Sequence, residues 1–355
     1  MIKFTLAFLL ILTVNQVSAS QARVNAFQSN HLKDPEYGYL FPTKLLELPD
    51  FVLFQSGSTL DPNYFHRPYV MMKTTFSSDQ SDNSALALTL GRHSDLVDAA
   101  RKKANEAFLS NFEPTANPID LTYAVRSEGN SYSIGFFYAD KNDKLNQVGN
   151  HAGTMNLGIR IDDFTLSTNI GLFNYVDDFG ASSLLSVRQS FFGALVYEMD
   201  DIHFIFDLSS SLAKKSVSLV EAGNVELLNY KMSMVKNTFN GNETIFYRIN
   251  LETDQVKNRF SNINTREIRL PLTLGFETVV NEEIKLRSSI KQILGVYQSE
   301  DFGAGLNTTT VAMGLGFEFK KLTLDGTLQG LIGSTASQQL DANQFLSDVS
   351  LTYWF

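Results

Sequence analysis

The stretch IRLPLTLGFE, residues 268–277, decides the fold class. Its even positions, from Ile268 to Phe276, are all apolar, whereas its odd positions are mixed and include Arg269 and Glu277. Because successive side chains of a strand point to opposite faces, this alternation predicts a strand with one apolar face. About ten alternating residues match the roughly 9–11 residues of a tilted membrane-crossing strand, about twice the usual strand length of soluble proteins.

The same alternation recurs along the chain in pairs of segments that are joined by very short polar turns. The turns are Glu128-Gly129-Asn130, Asp162-Asp163, Asp200-Asp201, Asn281-Glu282 and Lys320-Lys321. Longer polar stretches separate the pairs, at 141–150, 176–183, 252–265, 300–307 and 333–343. Short turns at one end and long loops at the other are typical of a transmembrane β-barrel.

Counting the alternating segments gives sixteen predicted antiparallel strands. They are 51–57, 69–77, 84–92, 117–127, 131–140, 153–162, 164–175, 184–198, 202–211, 225–236, 243–251, 266–279, 284–298, 308–319, 322–333 and 345–355. Alternation is poorer in the first three and in 225–236 and 243–251, so fourteen strands stay open as an alternative. The predicted class is all-β, a transmembrane antiparallel barrel of 14–16 strands. A soluble β-sandwich or propeller also alternates, but its strands are shorter.

Composition excludes several classes of protein. The 355 residues contain no cysteine, so neither disulfides, thiolate metal sites nor a cysteine nucleophile can occur. The formal net charge of −9 argues against nucleic acid as a partner, since nucleic-acid binders concentrate positive charge.

The first 19 residues predict a secretory signal peptide. Lys3 is followed by the apolar run from Phe4 to Val14, and Val17-Ser18-Ala19 has the small-residue spacing of a cleavage site. An apolar run of about 11 residues is too short for a spanning helix, which needs roughly 20. The predicted organisation is a signal peptide at 1–19, an N-terminal periplasmic or plug segment at 20–50, and the barrel at 51–355.

One segment, Ser94 to Leu109, has helical rather than strand periodicity. Its apolar residues are Leu96, Ala100, Ala104 and Phe108, with Ser94 as the N-cap and Arg101, Lys102, Lys103 and Glu106 expected to point outward. We expect a short amphipathic helix in a long loop. A solvated surface helix is favoured over one that folds into the barrel mouth.

The last residues, Val349-Ser350-Leu351-Thr352-Tyr353-Trp354-Phe355, place Val349, Leu351, Tyr353 and Phe355 on one face. This pattern resembles the C-terminal strand of Gram-negative outer-membrane proteins. The resemblance implies export across the inner membrane, insertion by the barrel-assembly machinery, and contact with outer-membrane lipids and lipopolysaccharide. It also implies a periplasmic C-terminus, which would place the short turns in the periplasm and the long loops outside.

The segment before the first strand carries a second resemblance. The residues are Ala22-Arg23, Asn25-Ala26, Asp34, Phe41-Pro42-Thr43 and Leu45-Leu46. They look like the N-terminal lead of FadL-type transporters of hydrophobic compounds and their PorV-like relatives, although Gln28-Ser29 replaces glycines and Phe-Pro-Thr replaces Asn-Pro-Ala. The resemblance implies an N-terminal plug and an apolar ligand, for which Phe137, Phe192 and Phe246 are the candidate contacts.

Catalytic chemistry finds little support in the sequence. The five histidines are not spaced as metal ligands, and His203 and Asp207 lie about 13 Å apart along a strand, too far for a base and its orienting acid. The acidic pairs are better explained as turn residues. We therefore expect no enzyme, no cofactor and no metal site.

The inward face of the C-terminal strands is where we expect function. The candidate lumen-lining charges are Arg248, Arg269, Lys285, Arg287, Lys291, Glu277, Glu318 and Asp325. Such opposed charges select solutes by size and charge in a passive channel. A salt-bridged interior, a FadL-like transporter and a docking barrel for an adhesin or secretion complex remain as alternatives, and the oligomeric state stays open. Pro271 predicts a bulge or kink because it has no N–H to donate.

Overall fold

The computed structural model describes residue 38 and residues 40–57, 68–76, 83–92, 94–108, 115–143, 148–178, 183–218, 220–259, 263–299, 307–332 and 346–355. The predicted signal peptide, the resemblance at 22–34 and the predicted loops at 300–307 and 333–343 lie outside these residues, except for Asn307.

Sixteen antiparallel strands form one closed barrel in which each strand pairs with its sequence neighbours and β1 pairs with β16. The strands are β1 (Phe51–Gly57), β2 (Tyr69–Thr75), β3 (Ser84–Leu90), β4 (Ile119–Ser127), β5 (Asn130–Asp143), β6 (Val148–Ile161), β7 (Phe164–Asp178), β8 (Ser183–Met199), β9 (Ile202–Val217), β10 (Val220–Asn240), β11 (Glu243–Asn258), β12 (Ile263–Val279), β13 (Ile284–Gln298), β14 (Thr308–Phe319), β15 (Leu322–Ile332) and β16 (Leu346–Trp354). The all-β barrel is confirmed with sixteen strands, and the alternative of fourteen is wrong.

Several strands are longer than the alternation predicted. Within the expected loops at 141–150, 176–183 and 252–265, residues 141–143, 148–150, 176–178, 183, 252–258 and 263–265 belong to strands. β10 reaches 21 residues, whereas β1 to β3 have seven each. Beyond the alternating segments, polar side chains lie on both faces of these strands, but the hydrogen-bonded pairing between neighbouring strands continues. The wall from β5 to β13 is therefore tall and the wall from β1 to β4 is low.

The short turns lie together at one end of the barrel. Glu128 and Gly129 both have positive φ angles, 51° and 85°, as a two-residue hairpin turn of type I′ requires. Asp162 and Asp200 each have φ 49°, which confirms the acidic pairs there as turn residues. Asp177 and Asp178 are the exception, since they lie within β7.

The irregularity that Pro271 predicts is present. The β11–β12 ladder keeps its register from Ile249–Leu272 to Glu252–Arg269 but has no bridges between these pairs. On the other side of β12, the register with β13 shifts between Ile268 and Arg269. The strand thus bends where its missing N–H weakens the pairing.

The outer surface carries a continuous belt of apolar side chains. Leu121, Ile134, Leu166, Leu195, Phe206, Ile249, Leu274, Leu315 and Leu351 are between 38% and 46% exposed. Aromatic rings border this belt, with Phe164 stacked on Tyr197 near the short turns and Phe173 against Tyr138 nine residues farther along β7. Nine residues span about 30 Å along a strand and about 21 Å across a layer after a tilt of roughly 45°. An apolar surface of this extent needs apolar surroundings.

Two helical segments lie in the interior of the barrel, against the inner face of its wall. A 3₁₀ helix (Pro42–Glu47) precedes β1, and α1 (Asp95–Phe108) lies in the connection between β3 and β4. The 3₁₀ helix contacts β3 to β6, and α1 contacts β7 to β10. In the part of the chain that the structure describes, no helix has both the length and the apolar character needed to cross a membrane.

A charge placed in the middle of the apolar belt tests the surroundings that this belt requires. Ile249→Arg should destabilise the barrel in lipid vesicles by about 2–4 kcal/mol, because Arg at the bilayer midplane costs that much. The measurement is the free energy of unfolding in urea, followed by the fluorescence of the single tryptophan, Trp354. Asn240→Arg at the short-turn end is the matched control and should cost about 0–1 kcal/mol. Equal costs at both positions would contradict the belt assignment.

Candidate functional site: the charged lumen

The N-terminal segment, residues 40–50, crosses the inside of the barrel. Phe41 packs in a cluster with Val196 and Val235 of the β8–β10 wall. Leu45 and Leu48 pack in another cluster with residues of β1 and β2, which lie on the opposite side of a sixteen-strand ring. This part of the predicted plug segment is thus buried against two facing walls.

Ion pairs fix this segment to the wall near the short turns. Lys44 Nζ lies 2.6 Å from a Glu198 carboxylate oxygen and 3.3 Å from one of Glu47. Arg160 also pairs with both Glu47 and Glu198. Two cations and two carboxylates therefore join the segment to β6 and β8. Because the Lys44 side chain is only 2% exposed, removing one partner would leave a buried charge.

A second anchor joins the segment to β2. Lys73 Nζ donates to the Leu48 carbonyl at 2.6 Å, to Asp50 Oδ1 at 2.9 Å and to Thr75 Oγ1 at 2.6 Å. Asp50 precedes β1, outside the strands. Burial alone would raise the pKa of Asp50, but the hydrogen bond from Thr75 and the ammonium of Lys73 outweigh it and hold the pKa below its ordinary value.

The helix α1 packs on the inner face of the tall wall, so the expectation of a solvated surface helix is wrong. Ala100 and Ala104 are buried with Leu185, Ala213 and Val225. Phe108 reaches β10 at Gly223, where a Cβ atom would come within 2.5 Å of the ring. Ser94 caps the helix, since Val97 N donates to its Oγ at 3.5 Å.

Arg101 is the strongest departure from the predicted outward face of α1. Its side chain is buried, and its guanidinium donates to Asn174 Oδ1 at 2.7 Å, Asn150 Oδ1 at 2.6 Å and the His151 carbonyl at 3.1 Å. The fork geometry of a guanidinium suits several acceptors at once. These hydrogen bonds of Arg101 thus hold α1 against β6 and β7.

A row of alternating charges crosses four neighbouring strands beside α1. The strand register places Asp207 opposite Lys231, Lys231 opposite Glu252, and Glu252 opposite Arg269. The three successive nitrogen–oxygen distances are 3.9, 3.9 and 3.8 Å. Opposite charges stabilise each other across strands, but these distances exceed a direct hydrogen bond, so the paired groups keep hydrogen-bonding capacity for water. We call these four residues the charged row.

More charges adjoin the charged row. Asp254 pairs with both Arg269 and Lys103 of α1 and accepts a hydrogen bond from Asn229, 2.9 Å away. Four residues before Glu252 on β11, Arg248 shares a register row with Thr273, which in turn lies opposite Lys291. Of the predicted lumen charges, the structure thus brings Arg248, Arg269 and Lys291 into one cluster.

The remaining predicted charges form a separate, tightly paired group on β12 to β15. Arg287, with a side chain 1% exposed, donates to Glu277 at 2.6 Å and also pairs with Asp325, and Lys285 lies 2.6 Å from Glu318. Gly316 lies on β14 beneath the Arg287–Asp325 pair, and a Cβ there would come within 2.8 Å of both side chains. The missing side chain at 316 lets this pair form across an intervening strand.

Sequence reasoning missed Asp207, Lys231, Glu252 and Asp254 as lumen charges. Glu252 and Asp254 follow Arg248 and Asn250 at every second position, so extending that face past the predicted end of the strand would have found them. Lys231 lies in a stretch where both faces are mixed, and no alternation identifies its side.

The three candidate aromatic contacts do not converge on one site. Phe137 is buried with Val97 of α1. Phe246 is buried with its ring over Gly275 of the neighbouring strand. Phe192 alone lines the cavity described next.

A partly open cavity of about 280 Å³ lies between the N-terminal segment and α1. Leu40 and Phe41 bound it on one side and Leu96, Ala99 and Lys103 on the other. The barrel wall contributes Phe192 and Leu227, and also Asp207 and Lys231 of the charged row. The cavity thus has one apolar part and one charged part.

The residues of the C-terminal pattern lie on the outer surface. Val349, Leu351, Tyr353 and Phe355 are exposed, and Tyr353 lies against Phe355 with ring centroids 6.1 Å apart. That the barrel-assembly machinery recognises these residues stays a prediction.

Comparison with solved structures finds other barrels at low sequence identity. An anion-selective porin from Comamonas acidovorans is 12% identical, with 86% of this chain and 97% of that chain covered and a TM-score of 0.46. A bacterial polysaccharide outer membrane secretin is 9% identical, with 87% and 98% covered and a TM-score of 0.48. The outer membrane protein OmpT of Vibrio cholerae, folded in vitro, is 8% identical, with 86% and 95% covered and a TM-score of 0.46. No protein-family model matches the sequence, and no curated protein matches it.

The tightly paired group should behave as a structural unit. Arg287→Met leaves Glu277 and Asp325 buried without their cation and should destabilise the barrel by about 3–5 kcal/mol, measured by urea unfolding in vesicles. The triple variant Arg287→Met, Glu277→Gln, Asp325→Asn removes all three charges and should recover most of that loss. A triple variant as unstable as the single one would contradict the pairing.

Arg101 should hold α1 against the wall. Arg101→Met removes the donors to Asn150 and Asn174, and we expect hydrogen–deuterium exchange in residues 95–108 to become at least about tenfold faster, because a loss of 1.4 kcal/mol is a factor of ten. Arg160→Met, which removes a guanidinium at the other end of the lumen, is the control and should leave this exchange unchanged. Unchanged exchange in Arg101→Met would show that the apolar face alone retains α1.

Proposed function

We propose that this chain is an outer-membrane channel that passes small polar solutes passively through its charged lumen. The observation that carries the proposal is the charged row Asp207–Lys231–Glu252–Arg269, whose ion pairs are too long for direct hydrogen bonds. Groups held this way inside a barrel are best satisfied by water, and water along the row provides a path for ions and polar solutes.

The apolar belt supports the membrane part of the proposal. A closed barrel satisfies every backbone group of its strands internally, which hydrocarbon demands, and the aromatic rings at the belt's borders suit the membrane–water interface. Closed barrels with such belts are the architecture of outer membranes. The C-terminal pattern at Val349–Phe355 is in keeping with that location.

The N-terminal segment and α1 narrow the path through the lumen, and the charges around them select between anions and cations. The cations of the cluster are Lys103, Lys231, Arg248, Arg269 and Lys291, and the carboxylates are Asp207, Glu252, Asp254 and Glu267. This small cationic excess favours anions over cations in a narrow passage, where walls of low dielectric strengthen the field. Selection is by size and charge, without covalent chemistry.

A plugged transporter is the second candidate function. The observation that favours it is the N-terminal segment, which is buried against opposite walls through Phe41 and Leu45. Solute passage would then require this segment to move, and the ion pairs of Lys44 with Glu47 and Glu198 would have to break.

Single-channel recording of the refolded chain in a planar bilayer tests the proposal. We expect steady conductance steps and, in a salt gradient near 0.1 M where the Debye length is about 10 Å, a reversal potential of weak anion selectivity. Arg269→Glu with Lys291→Glu turns the small cationic excess anionic and should reverse the sign of that potential.

The matched control is Arg266→Glu, which changes an exposed arginine on the same strand that bonds Tyr230 Oη at 2.8 Å. It should leave the reversal potential unchanged. Silence from a barrel whose folding is verified by heat-modifiable electrophoretic mobility would rule out the open channel and favour the plugged transporter.

A further inference from the structure

The cavity between the N-terminal segment and α1 combines features that point to a ligand. On its charged side, the carboxylate of Asp207 accepts no hydrogen bond from the described residues. Its cationic neighbours there are the ammonium of Lys231, 3.9 Å away, and the guanidinium of Arg248, and the same ammonium also lies 3.9 Å from Glu252. The two side chains keep 13% and 21% of their surface although they lie inside the barrel beside the cavity. A carboxylate and an ammonium thus face a small, partly open cavity without a direct hydrogen bond to each other.

A second cation adjoins the same space. Lys103 of α1 lines the cavity, and its ammonium pairs with Asp254 while its side chain remains 31% exposed. The charged side of the cavity therefore presents two ammonium groups and one carboxylate. A ligand that satisfies this set carries both a negative and a positive group.

Three large apolar side chains also line the cavity, beside the polar groups of Asn156, Asn169, Asn229 and Ser209–Ser211. Phe41 comes from the N-terminal segment, Phe192 from β8 and Leu227 from β10. Such a surface binds a compact apolar body, because contact there removes hydrocarbon from water at about 25 cal/mol per Å². A sugar or another uncharged polar solute could bond the amide and hydroxyl groups of the lining but would bring no charge to Asp207 and Lys231 and no apolar body to Phe41, Phe192 and Leu227.

From this arrangement we infer that the cavity binds a small zwitterion with an apolar body, the chemistry of a free aliphatic amino acid. The ligand's carboxylate lies between Lys231 and Lys103, its ammonium lies against Asp207, and its side chain packs on Phe41, Phe192 and Leu227. The volume of about 280 Å³ is at the lower end of ligand pockets, which suits a single amino acid rather than a long-chain lipid. The inference depends on the proposed function only for access of the ligand to the lumen.

Calorimetric titration of the folded full chain in detergent tests the inference independently of conduction. L-leucine is the probe, and two analogues keep its apolar body with one charge each: isoamylamine and 4-methylpentanoate. Glycine keeps both charges without the body. We expect saturable binding of leucine, with each analogue and glycine at least about tenfold weaker, a loss of about 1.4 kcal/mol each.

Variants locate the site. Lys231→Met and Asp207→Asn should each weaken leucine binding at least about tenfold, since each leaves one ligand charge unpaired. The matched controls are Lys236→Met, an exposed lysine on the same strand, and Asp201→Asn in the exposed β8–β9 turn. Both controls should bind leucine as the parent chain does.

Three results would overturn the inference: no saturable leucine binding by the folded chain, equal binding of leucine and its one-charge analogues or glycine, or equal losses in the control variants. Because the ligand comparisons use the unaltered chain, they stand even where a variant fails to fold. A barrel that conducts without binding leucine refutes this inference and leaves the channel in place. A barrel that binds leucine but is silent in the bilayer refutes the open channel alone.

Discussion

Backbone hydrogen bonding around a closed ring is the constraint on which the rest of this structure depends. The pairing of β1 with β16 leaves no free strand edge among the described strands, so every strand can present an apolar outer face. Everything polar is thereby directed inward or toward the ends. The interior must then satisfy many charges within a limited space, and it does so in two different ways, through tight pairs around Arg287 and through the longer ion pairs of the charged row.

Strand number and turns could be predicted because an apolar outer face imposes a simple rule on each strand. At Ile268–Phe276, every second residue must be apolar, and this pattern is visible in a single sequence. Beyond the belt the rule no longer applies, since water surrounds the outer face there as well. For that reason the extension of β11 through Glu252 and Asp254 was predicted as a loop, and Glu252 of the charged row was missed.

The place of α1 could not be predicted for a different reason. Its length followed from helical periodicity, but a face of small residues such as Ala100 and Ala104 packs equally well on many surfaces. Arg101 donates hydrogen bonds to Asn150 and Asn174, which lie about 50 and 70 residues away in the sequence. Both acceptors are on strands whose ends the sequence did not define. Arg101, which the helical periodicity placed on the solvent-facing side, is thus the largest fully buried side chain of the helix.

The order of segments along the chain has a consequence for assembly. The contents of the lumen, residues 40–50 and α1, come before the strands β7 to β10 against which Phe41 and α1 pack. Their contacts with the wall can therefore form only when β7 to β10 are in place, and the pairing of β16 with β1 encloses them.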